Sequence, residues 1–110
     1  DRSINLALSN EKLVDERIDF RQLGSKHYVI ALHADHPLAN RNSVSFAQLK
    51  DDTFICDTSR FHLDNLRQVC QKHGFLPHVG YEIQSTELVY GLLEANRGVA
   101  VIHRHGLPYD

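Results

Sequence analysis

Apolar and polar positions recur along the chain at two periods, close to two and close to 3.6 residues, and the switches between them predict the order of elements. Ile4, Leu6 and Leu8 repeat at period two, a short strand. Ser9 to Arg17 reads as loop, and Ile18 with Phe20 repeats the strand signal more weakly. From Tyr28 to Leu32 the chain is continuously apolar, which predicts a strand covered on both faces, the usual condition in a parallel sheet. Pro37 closes that segment. Ser45 and Gln48 stand at capping-box spacing, so Phe46 to Leu49 is expected as one helical turn before a buried strand from Thr53 to Cys56.

Leu63, Leu66, Val69, Cys70 and His73 then recur at three- and four-residue spacing, predicting a helix with that stripe inward, stopped by Gly74 and Pro77. Val79, Tyr81 and Ile83 alternate with polar or small residues as a half-covered strand. Ser85 follows as an N-cap, with Glu87 in the first turn of a second helix whose stripe is Leu88, Val89, Leu92 and Leu93. Asn96 to Gly98 ends this helix before a strand from Val99 to Ile102. Strand, helix, strand, helix, strand is the signature of a parallel α/β sandwich.

Composition narrows the classes without naming one. At 110 residues the chain is one domain's worth, and 12 Lys plus Arg against 14 Asp plus Glu leave a net charge of −2, as in an ordinary folded protein. The basic residues are scattered, so no polybasic footprint for nucleic acid is visible. No apolar run approaches the roughly 20 residues that span a bilayer, and no membrane association is expected. The chain lacks methionine, which points to residues upstream of Asp1.

In open α/β sheets ligands bind beyond the carboxyl ends of strands, where helix N-termini present unpaired N–H groups. That rule selects Asp57, Thr58, Ser59, Arg60 and Phe61 after the buried strand, and Ser85 and Thr86 after the alternating one. Helix capping alone would account equally well for the short hydroxyls; Arg60 and Phe61 tilt the first segment toward recognition. His33, Asp35 and His36 copy part of a metallo-hydrolase cluster, but Ala31 stands where its first histidine belongs, so a metal-dependent hydrolase is a minor alternative and no metal or other cofactor is expected. Cys56 and Cys70 fall on buried positions, where thiols pack as small hydrophobes. There is no Gly-x-Ser-x-Gly elbow, phosphate loop or His-Glu-x-x-His, so no enzyme is expected.

Tyr28 to Ala39 with its His36-Pro37-Leu38, then Val44 to Leu49, His73 to Pro77, Tyr81 to Glu87 and Leu92 to Ile102, together resemble the effector-binding region of LysR-type transcriptional regulators. The resemblance covers residues 28–102 and is weak over 1–26. It implies a Rossmann-like three-layer lobe of a type 2 periplasmic-binding-protein-like fold, with a small-molecule effector held between two lobes. It also implies DNA contact only through a winged helix-turn-helix domain outside this chain, a homo-oligomeric full-length protein and a cytoplasmic location. By that mapping residues 1–26 are the tail of the first lobe and hinge approach, 27–102 the second lobe with its crossing strands, and 103–110 the start of the return. Effector contacts are then expected from Asp57 to Phe61, and from Ser9 and Asn10 facing the same cleft.

The sequence departs from the family at His103, where a proline is usual, and at Asp57, a carboxylate in a cleft that often receives carboxylates. A neutral or amine-bearing effector therefore stays open. The reactive cysteine of the peroxide-sensing branch would fall nine residues before Cys70, at Phe61, so that chemistry is not inherited. A segment of a solute-binding protein is the remaining alternative.

Overall fold

A computed structural model describes residues 16–24 and 27–106; the expected strand at Ile4 to Leu8 and the site residues Ser9 and Asn10 lie outside them. The strands are β1 (Ile18–Leu23), β2 (Tyr28–His33), β3 (Ser43–Val44), β4 (Thr53–Asp57), β5 (His78–Ile83) and β6 (Ala100–His103), and the helices are α1 (Leu63–Lys72) and α2 (Thr86–Glu94). Short 3₁₀ turns occupy Phe46–Leu49 and Arg104–Gly106. The Ser45 N–H donates to Gln48 Oε1 at 3.0 Å, as the capping spacing predicts.

Two ladders, β3-β1-β2-β6 and β4-β5, are joined where Val99 bridges Phe54, just ahead of β6. The joint is hydrogen-bonded on both sides: the Val99 N–H donates to the Thr53 carbonyl at 2.9 Å and the Ile55 N–H to the Val99 carbonyl at 2.8 Å. β4 and β5 are parallel, as the alternating strands and helices predict. β2 is not. It pairs antiparallel with both β1 and β6, which corrects the expectation of a parallel neighbourhood. Only residues 24–27 connect β1 to β2, far too few for a crossover, so the pair can only be a hairpin. The apolar run at Tyr28 to Leu32 reports coverage on both faces, and coverage carries no information about direction.

The covering layers explain that run. The chain travels one way along the sheet from β4 to β5 and back across β4 to β6, so crossovers of the same hand place α1 and α2 on opposite faces. On one face Ile30, Leu32, Phe54, Cys56 and Val101 pack with Leu66 and Cys70 of α1 and with Phe46 and Leu49. On the other, Ala31, Ile55 and Ala100 pack with Val89 and Leu93 of α2. The result is the expected three-layer α/β lobe.

Two predicted stripe residues do not point inward. Leu88 is 60% exposed because α2 settles on the Val89 and Leu93 edge of its apolar face. His73 is the exposed C-cap residue of α1, and its ring stacks on Phe46 at 4.5 Å and 12° instead of entering the core. The helix ends follow local chemistry: Gly74 (φ 90°) follows α1, and Asn96 (φ 59°) follows α2, both in the left-handed conformation that those residue types tolerate.

The joint between ladders requires glycine. A Cβ on Gly98 would lie 2.6 Å from the Thr53 carbonyl oxygen, a backbone atom that cannot move without breaking the seam. Gly98→Ala should therefore destabilise the fold by about 1–3 kcal/mol, the usual cost of overpacking. Gly91→Ala, on the exposed face of α2 where nothing lies within 4 Å, should stabilise it by up to about 1 kcal/mol through helix propensity. Urea midpoints of the two variants measure both; equal and small shifts would contradict a tight seam at Gly98.

Candidate functional site

Because β4, β5 and β6 share a direction, their carboxyl ends reach the same edge of the sheet, and the segments that follow them enclose a concavity of about 490 Å³. Asp57, Ser59, Arg60 and Phe61 supply one side and Thr86 and Tyr90 of α2 another. Ala100 to His103 with His105 complete the lining. This is where the sheet rule places a ligand.

The loop after β4 is ordered by its own first residue. Asp57 Oδ1 accepts hydrogen bonds from the Ser59 N–H at 3.1 Å and from the Ser59 hydroxyl. The Arg60 and Phe61 N–H groups donate to the Asp57 carbonyl at 3.0 and 2.8 Å, and the Thr58 N–H donates to the Ile83 carbonyl at 2.9 Å, tying the loop to β5. Phe61 is 4% exposed and closes the wall from behind, while the Cys56 thiol donates to its carbonyl at 3.4 Å.

The two segments picked out by sequence meet through Thr86. Its hydroxyl donates to Asp57 Oδ2 at 2.7 Å and accepts from Arg60 Nε at 3.1 Å. The Asp57 carboxylate thus has both oxygens engaged, and Arg60 is held by Nε alone, leaving its two terminal amino groups without a partner among the described residues. Those amino groups are the fork that matches a carboxylate or phosphate.

Five expected residues, Asp57, Ser59, Arg60, Phe61 and Thr86, line the cavity. Thr58 and Ser85 do not. Thr58 serves the loop through its backbone, and Ser85 caps α2 by accepting from the Leu88 N–H at 3.3 Å, the role that capping preference alone accounts for. The cavity also includes Tyr90, His103 and His105, which sequence reasoning did not select. Tyr90 stands one helical turn after Thr86, so the i, i+4 rule could have found it. His103 stood out only as a departure from a family pattern.

The residues of the partial metal cluster are committed to a turn. His33 Nδ1 accepts from the Asp35 N–H at 3.0 Å and His36 Nδ1 from the Leu38 N–H at 3.0 Å, while His36 Nε2 lies 2.9 Å from Asp52 Oδ1. Among the described residues no group of three His, Cys, Asp or Glu could hold a metal ion, and no helix is long and apolar enough to cross a membrane.

Comparison with known proteins gives the cavity its context. The family model described as the LysR substrate binding domain matches residues 1–109. The HTH-type transcriptional regulator YwbI of Bacillus subtilis (strain 168) is 31% identical over 75 residues, 67% of this chain, and the chain spans only 25% of that relative. HinK, a LysR family transcriptional regulator from Pseudomonas aeruginosa, superposes with a TM-score of 0.68 at 18% identity, covering 87% of this chain and 33% of its own. The effector-binding domain of BenM, solved with its effector benzoate, superposes at 0.62 with 23% identity, over 84% of this chain and 44% of that one.

Burial determines the state of the thiols beside the site. Cys56 and Cys70 are both buried and free, and desolvation pushes each from 9.0 up to about 11, with Glu82 and then Asp57 adding to the rise at Cys56. Neither should react with Ellman's reagent at neutral pH until the protein unfolds. An unfolded thiol ionises at lower pH than these folded ones. Their contribution to stability is therefore intact below about pH 9 and lost as pH rises toward about 11. Urea midpoints of the wild type should fall more steeply over that interval than those of Cys70→Ala, and parallel slopes would contradict the shift.

Proposed function

The chain belongs to the LysR substrate-binding domain family, and on that premise we propose that its cleft is one wall of an effector site in a DNA-binding transcriptional regulator. Residues 27–102 are the second lobe of that sensor, 1–26 the end of the first, and 103–110 the beginning of the return. The observation that carries this reading is the link from Arg60 to Thr86 to Asp57. It joins two segments from different strands and leaves a guanidinium fork facing an open concavity. DNA is contacted through a domain outside this chain, in a cytoplasmic homo-oligomer.

Sensing, and not catalysis, fits the arrangement of hydroxyls. Ser59 and Thr86 both donate to the Asp57 carboxylate, and among the described residues neither is hydrogen-bonded to an imidazole that could take its proton. Thr86 positions Arg60, and Ser59 orders the loop that carries it. An effector that touches this wall and the facing lobe shifts the regulator only if it binds one arrangement of lobes better than the other. Ordinary allosteric coupling corresponds to about 1–3 kcal/mol.

A thermal-shift screen of small organic acids against the full-length regulator tests the reading. Effectors found by the screen should bind Arg60→Ala roughly 10- to 150-fold more weakly, the loss of one charge-assisted hydrogen-bonding group. Thr86→Val, which removes the hydroxyl that aims the guanidinium but leaves its charge, should cost less. An effector that stabilises the wild type and both variants equally would show that this cleft is not its site.

A further inference from the structure

His103, the last residue of β6, sits between two concavities. Its ring lies 5.1 Å from that of Tyr28, its cross-strand partner, and 5.1 Å from that of Phe61, and 5.4 Å from the ring of His105. It lines the effector cavity on one side. On the other it borders a second hollow of about 350 Å³ between β2 and α1. The side chain is half-buried, and neither ring nitrogen has a hydrogen-bond partner among the described residues.

The groups around this imidazole are almost all basic. Tyr28 of β2 and His27 just before it approach from one side, and Arg104 and His105 follow in the 3₁₀ turn after its own strand. Lys72 and His73 of α1 share the second hollow with it. Across the effector cavity stand Tyr90 of α2 and the loop residues Asp57 and Arg60. Asp57 is the one carboxylate among them, and both of its oxygens already accept hydrogen bonds from Ser59 and Thr86.

We propose that an anionic effector is taken up by this cleft together with a proton at His103. The proposal rests on the cleft being the effector site and adds to it the residue that answers the effector's charge. Desolvation, followed by His105 and then His27, lowers the proton affinity of this imidazole below that of an ordinary histidine. An anion bound to the terminal amino groups of Arg60 reverses the sign of the nearby field. The imidazolium then gains a counter-charge, and its unpartnered N–H groups gain an acceptor.

The direction of the pH dependence follows. Above the midpoint of the bound state the carboxylate binds without a proton. Affinity rises as pH falls through that midpoint and levels off below the midpoint of the empty cleft, which lies under the usual histidine value. Nothing comparable is expected for a neutral ligand.

The test is a proton NMR titration of the full-length protein carrying 13C-labelled histidine, alone and with acetate, benzoate or benzamide as probe. Acetate or benzoate should raise the His103 midpoint by about 1 unit or more, and benzamide should leave it unchanged. His103→Phe, which retains the ring contacts with Tyr28 and Phe61, should bind benzoate with an affinity that no longer changes with pH around neutrality. If either acid perturbs Arg60 and Thr86 but leaves the His103 midpoint in place, proton coupling is overturned while the effector site stands. If neither acid perturbs any residue of the cleft, both readings fail together.

Discussion

The seam between Gly98–Val99 and β4 is the constraint on which the rest of this lobe depends. Among the described residues, the two hydrogen bonds flanking Val99 make one sheet of the hairpin ladder and the parallel pair. They form only because residue 98 has no side chain to meet the Thr53 carbonyl. The consequences reach the far end of the strands. Once Val99 is registered against Phe54, four more residues of extended chain place His103 beside the loop that leaves β4. A slip of one residue would send His103 to the opposite face of the sheet and put Ile102 in its place.

Much of the architecture was legible because it depends on burial. The period-two and 3.6-residue patterns located β4, α1, β5 and α2 to within a residue or two. The hydroxyl-rich segments after β4 and β5 marked the edge of the sheet where the cavity lies. Strand direction was not legible from apolarity at Tyr28 to Leu32, because a run covered by α1 on one side and α2 on the other looks the same in either direction. Only the shortness of the connection to β1 decides it. The orientation of α2 was blurred for a related reason: Leu88, Val89, Leu92 and Leu93 form a broad apolar arc, and helix propensity cannot say which edge of it the sheet will cover.

The site was half legible. Asp57 to Phe61 and Thr86 could be found because the positions of loops after parallel strands are set by topology. Ser85 and Thr86 look alike in sequence, yet one caps the helix and the other faces the cavity. The difference is one residue of helical rotation, which no composition argument resolves. His103 and His105 line the cavity from the end of β6 and the turn that follows it. Their role depends on the pairing of β6 with β2, a contact between residues far apart in the chain.

A carboxylate in a cleft proposed to receive anions looks self-defeating, since like charges repel, but the hydrogen bonding of Asp57 resolves the difficulty. Its oxygens accept from Ser59 and Thr86, so much of the carboxylate's field falls on groups that already answer it. Thr86 uses its remaining lone pair to hold Arg60 Nε. The charge of Asp57 therefore organises the loop instead of competing with the ligand. The fork of Arg60 is already oriented when a ligand arrives, and less conformational entropy is lost on binding than a free arginine would lose. With Asp57 engaged and Arg60 held at Nε, the charge that a ligand would meet at this wall is that of the guanidinium.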